Sequence, residues 1–122
     1  MEWEIEYNED DKIIRIKTEG VLDTESEEKL RADVFNWIKR HNCFHLLLDH
    51  RQIKELKIST TGIYEIPKKY IIQNIPHNIK IAMLVPEAQL RDFKFYETVS
   101  NNSGYVVMLF TEIETAAAWL KK

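Results

Sequence analysis

One cysteine, Cys43, leaves no partner for a disulfide within the chain, which suits a reducing compartment. Beside a predicted strand it reads as a small buried hydrophobe. Three glycines and three prolines in 122 residues leave no room for a long flexible linker, so one domain over residues 1–122 is expected. No apolar run approaches the ~20 residues of a membrane span. The opening MEWEIEYNEDD is acidic and alternating, unlike a signal peptide. A phosphate loop, a dinucleotide fingerprint and a Gly-x-Ser-x-Gly elbow are all missing. Excess positive charge is missing too: the net charge is −3, which argues against nucleic acid. These absences point to the cytoplasm, with no cofactor. His41 and His45 have metal-ligand spacing, but a helix stop and a strand start fall between them, and His77 sits in a loop. No metal site is expected.

Hydrophobic residues make up 44% and charged residues 30%, enough of the former for a core without staples. Trp3, Ile5 and Tyr7 alternate with Glu2, Glu4 and Glu6. Ile14, Ile16 and Thr18 alternate with Arg15, Lys17 and Glu19. Joined by the polar Asn8–Asp11, these runs predict an antiparallel hairpin with one wet face, whose opposite charges can pair across strands. Thr24-x-x-Glu27 has the form of a capping box for a helix carrying Leu30, Val34, Trp37 and Ile38 on one face. Lys39, Arg40 and His41 suit its last turn, and Asn42 a left-handed stop.

Phe44–Leu48 is apolar on both faces, the mark of a central strand. A loop is expected over Asp49–Ile58. Ser59-Thr60-Thr61-Gly62 then opens a short helix, with a kink or fresh start at Pro67. Ile79–Val85 and Tyr105–Phe110 read as buried strands, with a helix over 87–101 between them. Thr111-x-x-Glu114 reads as a second capping box before the last helix. The order β-β-α-β-α-β-α-β-α predicts an α/β fold: a five-stranded mixed sheet, mainly parallel, with an N-terminal antiparallel hairpin and about four helices.

This pattern resembles the SpoIIAA-like branch of the STAS-like superfamily, the fold of anti-sigma-factor antagonists, related to Sec14-type lipid-binding domains. The resemblance spans nearly the whole chain. It rests on the hairpin, the Gly20-Val21-Leu22 exit into a helix, LLLDHR, the Ser/Thr-Gly helix start, IAMLV, and VVMLFTEIETAAAWL. Regulatory members open the second helix with Asp-Ser-Ser-Gly and are phosphorylated there by a partner kinase. The resemblance places Thr60 and Thr61 at the serine positions and matches Gly62, with Ser59 where the motif has its acid. It implies a regulatory domain rather than an enzyme, with Thr60 or Thr61 as candidate phosphoacceptor.

In an open α/β sheet, ligands sit outside the carboxyl ends of the strands. Asp49, Arg51, Ser59, Thr60, Thr61 and Gly62 are therefore the candidate polar residues, Arg51 and the helix start holding an anionic group. Tyr64, Phe93 and Tyr96 are candidates for apolar contacts, with Tyr70 facing the same gap. The expected function is non-enzymatic: binding of a partner protein or a small apolar or anionic ligand. An exposed apolar face would also support a homodimer. A small hydrolase or transferase using Asp49 or His50 is the alternative chemistry. Adjacent strand residues point to opposite faces, which sets those two apart.

Overall fold

A computed structural model describes all residues, Met1–Lys122. The strands are β1 (Glu2–Asn8), β2 (Ile13–Asp23), β3 (His45–Lys57), β4 (Lys80–Leu84) and β5 (Val106–Phe110). The helices are α1 (Thr24–His41), α2 (Thr60–Ile72), α3 (Leu90–Asn102) and α4 (Ile113–Leu120), with a 3-10 turn over Glu87–Gln89. The sheet order is β1-β2-β3-β4-β5, identical to the chain order. Only β1–β2 is antiparallel; the other three pairings are parallel.

That order fixes where the helices lie. Each parallel crossover steps to the next strand in the same direction, and right-handed crossovers then put every connecting helix on one face. Leu30 and Ile38 of α1, Ile63, Ile66 and Tyr70 of α2, and Phe93 and Tyr96 of α3 accordingly share one core with Ile14, Ile16, Leu46, Ile81, Met83 and Val107. The opposite face is covered by α4 alone. Its Ala116 and Leu120 pack on Ile13, Leu47, Ala82 and Leu84. Eight residues cannot span five strands, so the outer face of the hairpin stays wet, with Glu2, Glu4 and Glu6 exposed. Glu4 lies opposite Lys17 and Glu6 opposite Arg15, but Arg15 makes its ion pair with Asp11, at 2.8 Å.

Four local expectations are corrected. The predicted loop Asp49–Ile58 is mostly strand. Two β-bulges hid it: His50 and Arg51 together oppose Thr18, and Lys54 is an extra residue between the Gly20–Ile53 and Val21–Glu55 pairs. Each bulge inserts one residue and resets the alternation. The inward positions therefore run Leu46, Leu48, His50, Ile53 and Leu56, and no period of two survives to be read. Second, α1 is capped by Asp23, whose carboxylate accepts from the Ser26 N–H at 2.8 Å. Thr24 is already helical, and Glu27 is free of capping duty. Third, α2 runs through Pro67 without a break. The ring lacks an N–H, but Pro67 is buried together with Ile63, Ile66 and Tyr70, and that packing outweighs the missing rung. Fourth, α4 starts at Ile113 after Glu112, which makes no side-chain cap, and the Thr115 hydroxyl donates back to the Glu112 carbonyl.

An edge strand presents unpaired backbone groups that invite another strand. On β5 these are closed from within the chain. The Asn101 amide donates to the Val107 carbonyl at 2.8 Å and accepts from the Val107 N–H at 3.3 Å. The Glu97 carboxylate accepts from the Leu109 N–H at 2.7 Å. Two side chains of α3 thus stand in for a sixth strand, beside exposed Val106 and Met108. The double variant Glu97→Ala/Asn101→Ala is expected to self-associate with rising concentration in size-exclusion chromatography with light scattering. A mass independent of concentration would show that the edge needs no such closure.

Candidate functional site

The one-sided helix layer leaves a cavity of about 90 Å³ between the sheet and α1, α2 and α3. Its wall is aliphatic and aromatic except for Glu27, Arg31, His50 and the hydroxyls of Tyr70 and Tyr96. Those polar groups are tied to one another in a definite pattern.

Glu27 and Arg31 are one helical turn apart on α1 and face inward. Arg31 Nη1 donates to both carboxylate oxygens, at 2.5 and 2.6 Å, and Arg31 Nε donates to Gln73 Oε1 at 2.8 Å. The two side chains are only 10% and 14% exposed. Burial pushes the Glu27 carboxyl up from its ordinary range, against the pull of the guanidinium. The Arg31 guanidinium also lies over the Tyr70 ring, 6.0 Å from its centre. The hydroxyls of Tyr70 and Tyr96 are 2.6 Å apart. Burial raises both phenols, that of Tyr96 to about 12, so both stay protonated at neutral pH.

His50 reaches the cavity from the first bulge of β3. It is 2% exposed. Its Nδ1 is 2.6 Å from the Thr18 hydroxyl, and that hydroxyl lies 3.2 Å from the Asp49 carbonyl. Its ring stacks on Phe93 at 5.6 Å. Burial holds the imidazole down at about 4, against the opposing influence of Asp49, so it is neutral at pH 7.

The residues singled out from sequence do not form one site. Asp49 and Arg51 point to the α4 face, where Arg51 clamps the Asp49 carboxylate through Nε at 2.9 Å and Nη2 at 2.8 Å. Arg51 also feels Glu114 of α4. The Ser59–Gly62 helix start belongs to the other face. The expected pairing of Arg51 with that helix start is therefore corrected: the sheet lies between them. Asp49 and His50 point to opposite faces, as the strand rule requires, so they do not act on one atom. Ser59 is an N-cap, its hydroxyl accepting from the Gly62 N–H at 3.0 Å. Gly62 is required by close approach, since a Cβ there would lie 2.8 Å from Ile58 Cγ2. Thr60 and Thr61 are exposed at the positive end of α2. Tyr64 is corrected as well. It is 48% exposed, with Lys68 Nζ over its ring at 4.4 Å, and it does not reach the cavity. Phe93, Tyr96 and Tyr70 do line it.

Glu27 and Arg31 were not singled out from sequence. Their i, i+4 spacing is what solvated helix faces also show, and Glu27 fitted a capping box. Only the position of α1 against the sheet turns that pair inward.

The architecture defines a class: a SpoIIAA-like α/β fold, that of anti-sigma-factor antagonists. Within it the chain is similar to an uncharacterised DUF3478-family protein with a SpoIIAA-like fold from Shewanella loihica PV-4. That likeness has TM-score 0.63 and 18% identity, covering 98% of this chain and 92% of that one. It is also similar to the anti-sigma-factor antagonist SpoIIAA in its unphosphorylated form, with TM-score 0.57 and 17% identity, covering 97% of each chain. At these identities the likeness is one of fold. No family model matches the chain, and no curated protein matches it in sequence.

Two outcomes follow. Arg31→Met leaves a buried carboxylate without its partner and is expected to cost about 3–5 kcal/mol in urea unfolding. Glu27→Leu/Arg31→Met removes both charges and is expected to lie much closer to the wild type; equal losses would mean that the pair is not electrostatically coupled. His50 binds a proton in the unfolded chain below about pH 6.5 but in the folded protein only near pH 4. Stability therefore falls as pH drops through that window, by about 3 kcal/mol in all. Melting curves of His50→Asn from pH 7 to 4 are expected to lack this part of the slope.

Proposed function

We propose that the protein is a non-enzymatic binding domain that takes a small, mainly apolar ligand between its sheet and its helix layer. The observation that carries this reading is the cavity itself. Protein interiors are close-packed, yet this core holds open space beside a neutral imidazole and two tyrosine hydroxyls. Ligand sites have that character, apolar walls with a few placed polar groups. An anionic ligand fits poorly: Arg31 already spends Nη1 on Glu27 and Nε on Gln73. The space is small. An apolar cavity of about 150 Å³ accepts benzene or xenon, so this one suits a guest of a few heavy atoms.

A regulatory role follows from where the cavity lies. Ile63, Ile66 and Tyr70 of α2 form part of its wall. The outer side of the same helix exposes Thr60, Thr61, Tyr64, Ile71 and Ile72. Filling the cavity alters the packing under α2 and so the surface that a partner protein would read. The fold of anti-sigma-factor antagonists supports a partner-binding role for that surface.

Xenon pressure followed by methyl NMR tests the reading. Saturable shifts are expected at the methyls of Ile63, Ile66, Ile81 and Met83, with none at Ile13 or Leu47 on the far face. Shifts spread evenly over both faces, or none, would remove the cavity as a binding site.

A further inference from the structure

The hydrogen bonds around His50 determine which ring nitrogen carries the proton. The Thr18 hydroxyl has one hydrogen and two neighbours, the Asp49 carbonyl at 3.2 Å and His50 Nδ1 at 2.6 Å. Both contacts are hydrogen bonds only if Thr18 donates to the carbonyl and accepts from Nδ1–H. Buried polar groups are satisfied where geometry allows, which favours the tautomer with the proton on Nδ1 and the lone pair on Nε2. Nε2 has no hydrogen bond in the chain. Among buried side-chain nitrogens and oxygens, only Arg15 Nη1, Gln89 Oε1 and Ser100 Oγ are both sealed and unpartnered, so the unpartnered Nε2 keeps some open surface, on a residue that is 2% exposed and lines the cavity.

We propose that His50 Nε2 is the hydrogen-bond acceptor of this cavity, and that its ligand class is small, neutral and apolar with one N–H or O–H donor. The inference rests on the cavity reading above and adds the chemistry of the guest. Four observations support it together. The imidazole is held in place from behind by Thr18 and along its face by Phe93, so the acceptor is preorganised. The other polar groups of the wall are engaged with one another: Glu27 bonds Arg31, and one of the two tyrosine O–H groups donates to the other. The rest of the wall is hydrocarbon, which favours a guest without charge. The bulge that aims His50 inward is a distortion of the β2–β3 ladder, and bulges recur where a strand must re-aim a functional side chain.

Pyrrole and furan are five-membered rings of nearly equal size, one with an N–H donor and one without. Titrated into the wild-type protein and followed by methyl NMR, both are expected to enter, with pyrrole tighter by several-fold to about tenfold. Pyrrole, and not furan, is expected to move the Nε2 nitrogen resonance of His50. In His50→Asn the side-chain amide can still donate to Thr18 but offers no acceptor at the Nε2 position. There the preference for pyrrole is expected to vanish while furan binding persists. Equal affinities with an unmoved Nε2 resonance in the wild type would overturn the role of His50 and leave the cavity reading standing. Exclusion of both guests would overturn the cavity reading together with this one. The wild-type comparison decides the matter even if the variant does not fold.

Discussion

Three parallel crossovers in one direction, all right-handed, put α1, α2 and α3 on the same side of the sheet. Nearly everything else depends on that handedness. It concentrates the large core on one face and leaves the other to the eight residues of α4. The cavity lies between that sheet face and the three helices. The hairpin strand β1 extends the same face, and Trp3 ties it to α1 through Nε1 and Asp33 Oδ2 at 2.9 Å.

Most polar groups inside that layer have a partner within it. Glu27 is matched by Arg31, Arg31 by Gln73, Tyr70 by Tyr96, and His50 Nδ1 by Thr18. Burying any of these alone would cost several kcal/mol for a charge, or about 1–3 kcal/mol for a neutral group. His50 Nε2 has no hydrogen bond in the chain, and an unpartnered polar atom inside a protein calls for an explanation. The same economy operates at the rim of the sheet. Asn101 and Glu97 occupy the hydrogen-bonding groups of β5 that would otherwise face solvent.

The candidate site was partly legible in the sequence. Phe93 and Tyr96 fall on one helical face, and that face meets the cavity. Tyr64 shares a helix with Tyr70, but the two lie on different sides of α2, and only Tyr70 points inward. Arg51 and the Ser59–Gly62 helix start are close in sequence, and a loop between them would have let them converge. The intervening residues are strand instead, and a strand holds its side chains to fixed faces. The bulges could not be foreseen, because an inserted residue erases the alternation by which a strand is recognised.

The sequence by itself determined the order of elements, the antiparallel hairpin, the parallel strands and the apolar faces of the helices, though Tyr105–Phe110, read as buried, is an edge strand with Val106 and Met108 exposed. Those properties are written in local periodicity, which needs no partner to be read. The left-handed stop at Asn42 and the Ser59 cap are local in the same sense. Tertiary structure alone decided that β3 continues to Lys57, that Pro67 stays inside a helix, and that Glu27 and Arg31 face inward. It also decided that His50 lines a cavity. Each of these depends on residues distant in the chain, Thr18 for His50 and Gln73 for Arg31. Periodicity records which way a side chain points along its own element, but only packing determines what it meets there.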